Sequence, residues 1–165
     1  MTFSFKKTTY KDVELYLHCL KNNEFKKMLF DNDNFNTIDF ASPSSIGEKY
    51  IVNCNGISIG FFHLYKCIEY HSYDIIGGIL PEKIGNGIGS YACVAALSYI
   101  FSKYSNITIT SGIFKFNMRS YFMHKSVGFY EIAETPSKKI MMITKSLFCN
   151  KYTQDILSKI VVECT

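Results

Sequence analysis

Tryptophan is missing from this 165-residue chain, arginine occurs once, at position 119, and there are only three prolines. A surface built to grip nucleic acid carries arginines that fork onto phosphates, so a DNA- or RNA-binding domain is not expected. Glycine and proline are too scattered to mark a linker. No apolar run approaches the roughly 18 residues that span a bilayer, and the opening MTFSFKKTTYKD has no apolar signal-peptide core, so neither a membrane partner nor secretion is expected. The six cysteines, at 19, 54, 67, 93, 149 and 164, form no C-x-x-C pair and no metal-like cluster. They read as free thiols in a reducing, cytoplasmic setting, with no metal required.

Acid is also missing where it would matter most. From Lys83 to Tyr130 there is no aspartate or glutamate, while Lys83, Lys103, Lys115, Arg119 and Lys125 stand unopposed. The whole chain carries 18 basic and 14 acidic residues, a net +4, and residues 1–50 are neutral with seven of each. The excess is therefore concentrated, and a cationic stretch of this kind favours an anionic ligand.

What is present is a packed-domain composition, 47% apolar and 19% charged, in a length that fits one domain over residues 1–165. Thr2 to Lys6 alternates like a strand. Thr9-Tyr-Lys-Asp12 resembles a capping box, and Val13, Tyr16, Leu17 and Leu20 follow at helical spacing. A second short helix is expected over Glu24–Phe30, then a loop over Asp31–Ser45. Tyr50–Cys54 and Ile57–Lys66 read as strands joined by Asn55-Gly56, a two-residue hairpin turn. Ser72–Leu80 is a further strand, and Ile88–Lys103 is a helix apolar nearly all round, hence buried against a sheet. Asn106–Phe114 alternates as a strand, Asn117–Ser126 suits a helix, and Gly128 is placed to end it. Phe129–Glu134 and Ile140–Leu147 read as closing strands, and Tyr152–Val162 as a short C-terminal helix. The pattern is α+β: one mainly antiparallel mixed sheet of about seven strands flanked by about four helices.

Between the fourth strand and the long helix lies Lys83-Ile-Gly-Asn-Gly-Ile-Gly-Ser90. Glycines at 85, 87 and 89 permit positive φ and close backbone approach, and the helix N-terminus directs free N–H groups at the same spot, which makes an anion cradle. A nucleotide P-loop needs lysine and then serine or threonine after its last glycine, and Gly89 is followed by Ser90-Tyr91. The dinucleotide fingerprint needs an acid about 20 residues further on, which the acid-free stretch removes.

With these residues the sequence resembles the GCN5-related N-acetyltransferase (GNAT) superfamily over about residues 2–148, leaving 149–165 as an extension. The family's acetyl-CoA loop, Q/R-x-x-G-x-G/A, is matched by Gly87-Ile-Gly89. Its second signature, an Asn with a small residue three later and Gly-Phe eleven later, is matched by Asn117, Ser120, Gly128 and Phe129. Ile84 occupies the Q/R position, with Lys83 beside it. His124 stands seven residues after the Asn, where many members have tyrosine.

The resemblance implies an acyltransferase that uses acetyl-CoA as acyl donor to acetylate a primary amine of a small molecule. It implies cofactor contacts from Ile79, Leu80, Lys83, Gly85, Asn86, Gly87, Ile88, Gly89, Ser90, Asn117 and Ser120. His124 is the expected general acid and Tyr121 the alternative. Glu69, His71 and Asp74 are candidates for the base, a role that water can also fill. His18 and His63 read as structural, and some aromatic residues between Phe61 and Tyr73 are candidates to line an acceptor pocket. A non-catalytic CoA-binding sensor is the alternative function, and either a monomer or a homodimer fits.

Overall fold

The computed structural model describes residues 1–30, 47–153 and 161–164, so the loop expected over 31–45 lies outside the described residues. β1 (Thr2–Lys7) leads into a 3₁₀ turn at Tyr10–Asp12, where the Asp12 carboxylate accepts from the Thr9 N–H (2.8 Å) and hydroxyl (2.7 Å). α1 (Val13–Lys21) and α2 (Asn23–Leu29) follow, the second capped by Asn22 Oδ1, which accepts from the Phe25 N–H at 2.9 Å. β2 (Glu48–Cys54) and β3 (Ile57–Cys67) form the expected hairpin, and Asn55 and Gly56 have φ of 50° and 78°. β4 (Ser72–Ile79) runs through a 3₁₀ turn at Pro81–Lys83 into α3 (Ile88–Lys103), whose bounds match those read from its apolar run. β5 (Thr108–Phe114), α4 (Met118–Val127), β6 (Tyr130–Glu134) and β7 (Lys138–Thr144) complete the core.

Two expectations are corrected near the C-terminus. The last long strand stops at Thr144 because the Thr144 hydroxyl accepts from the Leu147 N–H at 3.3 Å, and this cap opens α5 (Lys145–Lys151). Residues 154–160 of the helix expected over Tyr152–Val162 lie outside the described residues, and Val161–Cys164 is an eighth strand, β8, parallel to β1.

The sheet has the order β6-β7-β5-β4-β3-β2-β1-β8. One face packs on α1 and α2 through Tyr16, Cys19, Leu20, Phe25, Ile51, Phe61 and Leu80. The other is covered by α3, whose Ala92, Val94, Ala95, Ala96, Leu97, Ile100 and Phe101 are buried, and by Val127 of α4 and Phe148 of α5.

β4 and β5 are parallel but pair only at Tyr73–Ile109 and Asp74–Thr110. Beyond these residues each strand stays with its other neighbour: β4 pairs with β3 up to Ile79, and β5 with β7 up to Phe114. A wedge therefore opens between the C-terminal halves of β4 and β5. Glycines hold β4 on the β3 side of it. A Cβ on Gly60 would lie 2.2 Å from the Gly78 carbonyl oxygen, and one on Gly78 would lie 2.3 Å from the Phe25 ring. Only bare backbone fits at that spacing. Gly60→Ala is expected to cost about 2–3 kcal/mol through overpacking, whereas Gly112→Ala, with its nearest neighbour 3.5 Å away, costs well under half of that. Denaturant unfolding of the two variants checks this.

Candidate functional site

The wedge ends at the glycine loop. Gly85, Asn86 and Gly87 have φ of 143°, 48° and 72°, a run of positive values that turns successive N–H groups toward one concave side. Glycine meets this demand at no steric cost, and asparagine is one of the few other residues that tolerate it. The Ile88 N–H returns to the Gly85 carbonyl at 3.0 Å, and those of Ser90 and Tyr91 return to Gly87 at 3.0 and 3.3 Å. Among the described residues, the amides of Gly85, Asn86, Gly87 and Gly89 meet no protein acceptor. They point at the start of a 16-residue helix with no acid in its first turn, a setting that binds anions. Lys83 and Ile84 are exposed beside the loop, and Ser90 is half-buried.

The two residues expected at the open edge of β4 separate. Leu80 donates its N–H to the Ile59 carbonyl at 2.8 Å and buries its side chain in the α1–α2 core. Its amide is spent, which corrects the expectation that this N–H is open to a ligand. Adjacent strand residues direct their N–H groups to opposite edges, so the Ile79 N–H faces the edge that β5 has left.

α4 borders the wedge on its far side. Asn117 Oδ1 caps the helix by accepting from the Ser120 N–H at 3.1 Å, which leaves the side-chain NH₂ available. One turn on, His124 is 8% exposed, with Nδ1 2.8 Å from the Ser120 carbonyl oxygen, 3.3 Å from Ser120 Oγ, and its ring edge-on to Phe129. Burial pushes its pKa down to about 4, against a smaller opposing effect of the Ser120 carbonyl. At neutral pH it is an imidazole that donates Nδ1–H to the backbone and offers a lone pair at Nε2. Its one N–H is thus bonded to the Ser120 carbonyl, which weighs against the expected role as general acid. Tyr121, half-buried, donates to Glu131 Oε2 at 3.2 Å, with the Lys125 and Lys139 ammonium groups 5.5 and 5.4 Å from its ring centre.

The base candidates also separate. Glu69 and His71 are exposed in the β3–β4 turn, at the end of β4 opposite the glycine loop. Asp74 sits at its vertex, in the last β4–β5 pair. Burial raises its pKa to about 6, although the Thr110 hydroxyl, the Lys138 ammonium and the Ile75 N–H favour its charged form. A carboxyl titrating there is ionised at neutral pH and close enough to it to exchange protons.

Two further residues border Asp74: Tyr65, among the aromatic residues between Phe61 and Tyr73 expected to line an acceptor pocket, and His63, expected to be structural. Tyr65 lies directly opposite it in the β3–β4 register, and His63 is hydrogen-bonded to Tyr65. Alternation along β3 puts both on one face, but only burial distinguishes that face from a bland core. No cluster of His, Cys, Asp or Glu suited to a metal ion occurs among the described residues. A pH titration of ring-nitrogen NMR shifts is expected to show His63 and His124 as neutral rings from pH 8 down to pH 5, with His124 in the Nδ1–H form. A midpoint near 6.5 for His124 would restore its role as an acid.

No family model and no curated protein matches the chain. Solved structures do match its fold. The aminoglycoside acetyltransferase AAC(6')-Ib in complex with coenzyme A and kanamycin is 17% identical, with a TM-score of 0.73 over 90% of this chain and 98% of that one. A GNAT-family acetyltransferase from Bacillus anthracis is 19% identical, with a TM-score of 0.70 over 86% and 94%. A chimera of spermidine N-acetyltransferase SpeG from Vibrio cholerae and hSSAT is 17% identical, with a TM-score of 0.69 over 90% and 98%. The wedge, the glycine loop and the capped fourth helix are thus set in the fold of the GNAT acetyltransferases.

Proposed function

We propose that this chain is an acetyl-CoA-dependent N-acetyltransferase acting on a primary amine of a small molecule, an amino sugar among the candidates, in the cytoplasm. The observation that carries the reading is that the amides of Gly85, Asn86, Gly87 and Gly89, which meet no protein acceptor among the described residues, and the Ile79 N–H, directed to the edge that β5 has left, lie along one wedge, with the loop inside the acid-free stretch. The similarly folded proteins named for aminoglycoside and spermidine acetylation support it.

Bound in the wedge, acetyl-CoA supplies the thioester that the amine attacks. The loop amides and the α3 N-terminus hold the pyrophosphate, and the Lys83 ammonium reaches toward the phosphates. Asn117 NH₂ and Ser120 Oγ steady the pantetheine arm, and the Ile79 N–H is placed to polarise a carbonyl oxygen lying against the bare edge of β4. Asp74 takes the proton that the amine must lose. His124 and Tyr121 are the two candidates to protonate the departing sulfur, and each has to release its one proton from a present partner, the Ser120 carbonyl for His124 and the Glu131 carboxylate for Tyr121.

A second reading, a CoA-binding sensor without turnover, is favoured by the apolar Ile84 at the loop's polar position and by the neutral His124. Titration calorimetry with CoA and thiol release over an amine panel of kanamycin, spermidine and glucosamine separate the two. We expect turnover with at least one amine. Gly87→Val, which forces a branched residue to a φ of +72°, is expected to weaken CoA binding by about tenfold or more. Binding without turnover favours the sensor, and no CoA binding removes both readings.

The carboxyl at the vertex gives the rate its pH dependence. Asp74 must be ionised to accept a proton, so kcat/KM should fall as pH drops below about 6. Asp74→Asn is expected to remove that limb and about 100-fold of the rate. An unchanged acid limb in the variant would exclude Asp74 as the base.

A further inference from the structure

The sheet face under α1 carries a hydrogen-bonded chain that the proposed reaction does not use. His63 is fully buried, yet both ring nitrogens are engaged: Nδ1 lies 2.8 Å from the Tyr65 hydroxyl and Nε2 lies 3.0 Å from that of Tyr16. The Tyr16 hydroxyl is in turn 3.0 Å from Thr8 Oγ1. The chain thus runs from the end of β1 through α1 to β3.

Burial, with the Lys49 ammonium opposite on β2, holds the His63 pKa at about 2, so the ring is neutral, one nitrogen a donor and the other an acceptor. Two arrangements connect the whole chain. In one, Tyr65 donates to His63, His63 to Tyr16, and Tyr16 to Thr8, which leaves the Tyr65 oxygen lone pairs facing outward. In the other every bond is reversed, and the Tyr65 O–H faces outward. The chain therefore fixes where the Tyr65 hydroxyl sits while allowing it to present either a donor or an acceptor.

Tyr65 is the end of the chain that reaches the wedge. Directly opposed residues on one face of an antiparallel pair have Cβ atoms about 5 Å apart, and Tyr65 is paired in this way with Asp74. Tyr65 is half-buried, and burial with the Asp74 charge pushes its phenol up to about 12, so it stays protonated throughout the working range. Among the described residues, Asp74 is also faced by Thr110 from β5, Lys138 from β7 and the Ile75 N–H. Tyr65 is the neighbour, among the described residues, that offers lone pairs on a phenol oxygen held in place from behind.

We infer that Tyr65 contacts the acceptor amine, accepting one of its N–H groups while Asp74 accepts another, and that His63 and Tyr16 are positioning residues that set the direction of the Tyr65 hydroxyl. The inference rests on the acetyltransferase reading and assigns its acceptor subsite to the face covered by α1. A protonated amine arriving there favours the arrangement in which Tyr65 donates into the chain. When the site is empty, the Asp74 carboxylate favours the reverse.

The test is calorimetry of CoA-saturated protein with kanamycin, spermidine and glucosamine, on wild type, Tyr65→Phe, Tyr16→Phe and the double variant, each checked for an unchanged CoA affinity. At least one amine should bind wild type. Tyr65→Phe should weaken that amine about tenfold, and Tyr16→Phe, which cannot touch it, about threefold. The double variant should be no weaker than Tyr65→Phe alone, because Tyr16 acts only through the hydroxyl that Tyr65→Phe removes. Additive losses, an unchanged amine affinity in Tyr65→Phe, or no binding of any of the three amines to CoA-loaded wild type would overturn the inference. Failure of CoA itself to bind would instead overturn the reading on which it rests.

Discussion

β4 and β5 share two paired residues and then part, and the rest of the molecule is arranged around that parting. Parallel neighbours in the middle of a sheet normally pair along their whole length, since unpaired N–H groups away from water are costly. Here each strand is held elsewhere: β4 by eight registered pairs with β3, and β5 by seven with β7. The close contact of Gly60 with the Gly78 carbonyl, and of Gly78 with the Phe25 ring, leaves no room for a Cβ at either glycine. The bare edge that results can hydrogen-bond a ligand as a strand would. Its free amide at Ile79, the loop amides and the capped start of α4 all border one slot.

The same constraint assigns the charges. Of the five cations in the acid-free stretch, Lys103 is paired with Glu48 at 2.6 Å and Lys115 with Glu134 at 2.5 Å. Hydrogen bonds from Lys103, Tyr104 and Tyr50 outweigh the burial of Glu48 and hold its carboxyl down at about 2, so that cluster ties the end of α3 to the start of β2. The attraction for an anion at the loop then comes from Lys83, from the open amides and from the absence of acid in the first turn of α3. A net charge of +4 overstates the number of free cations there, while the helix terminus supplies partial charge that a residue count does not register.

Features set by local chemistry were legible in the sequence. Asn55-Gly56 needs positive φ and makes the hairpin, Asn117 caps α4, and Gly128 ends it with a φ of 117°. The unbroken apolar run of α3 gave both its ends. Features set by distant neighbours were not legible. That Leu80 spends its amide on Ile59 depends on how far β3 runs, and that His124 is neutral depends on Phe129 and the surrounding core. His63 read as a structural histidine, and it is a buried one, but its two tyrosine partners come from α1 and from its own strand two residues on. Strand β8 pairs with β1 across the length of the chain, a contact that no local pattern marks.

The central claim is that a CoA-sized anion lies along the parted edge, with its phosphates on the glycine loop and its arm against Ile79. Amide chemical-shift mapping on addition of CoA tests this most directly. The account predicts the largest shifts at Ile79, Gly85, Gly87 and Gly89, with Leu80, whose amide is already bonded, moving far less. Saturable binding that leaves Ile79 and the loop glycines unmoved would contradict it.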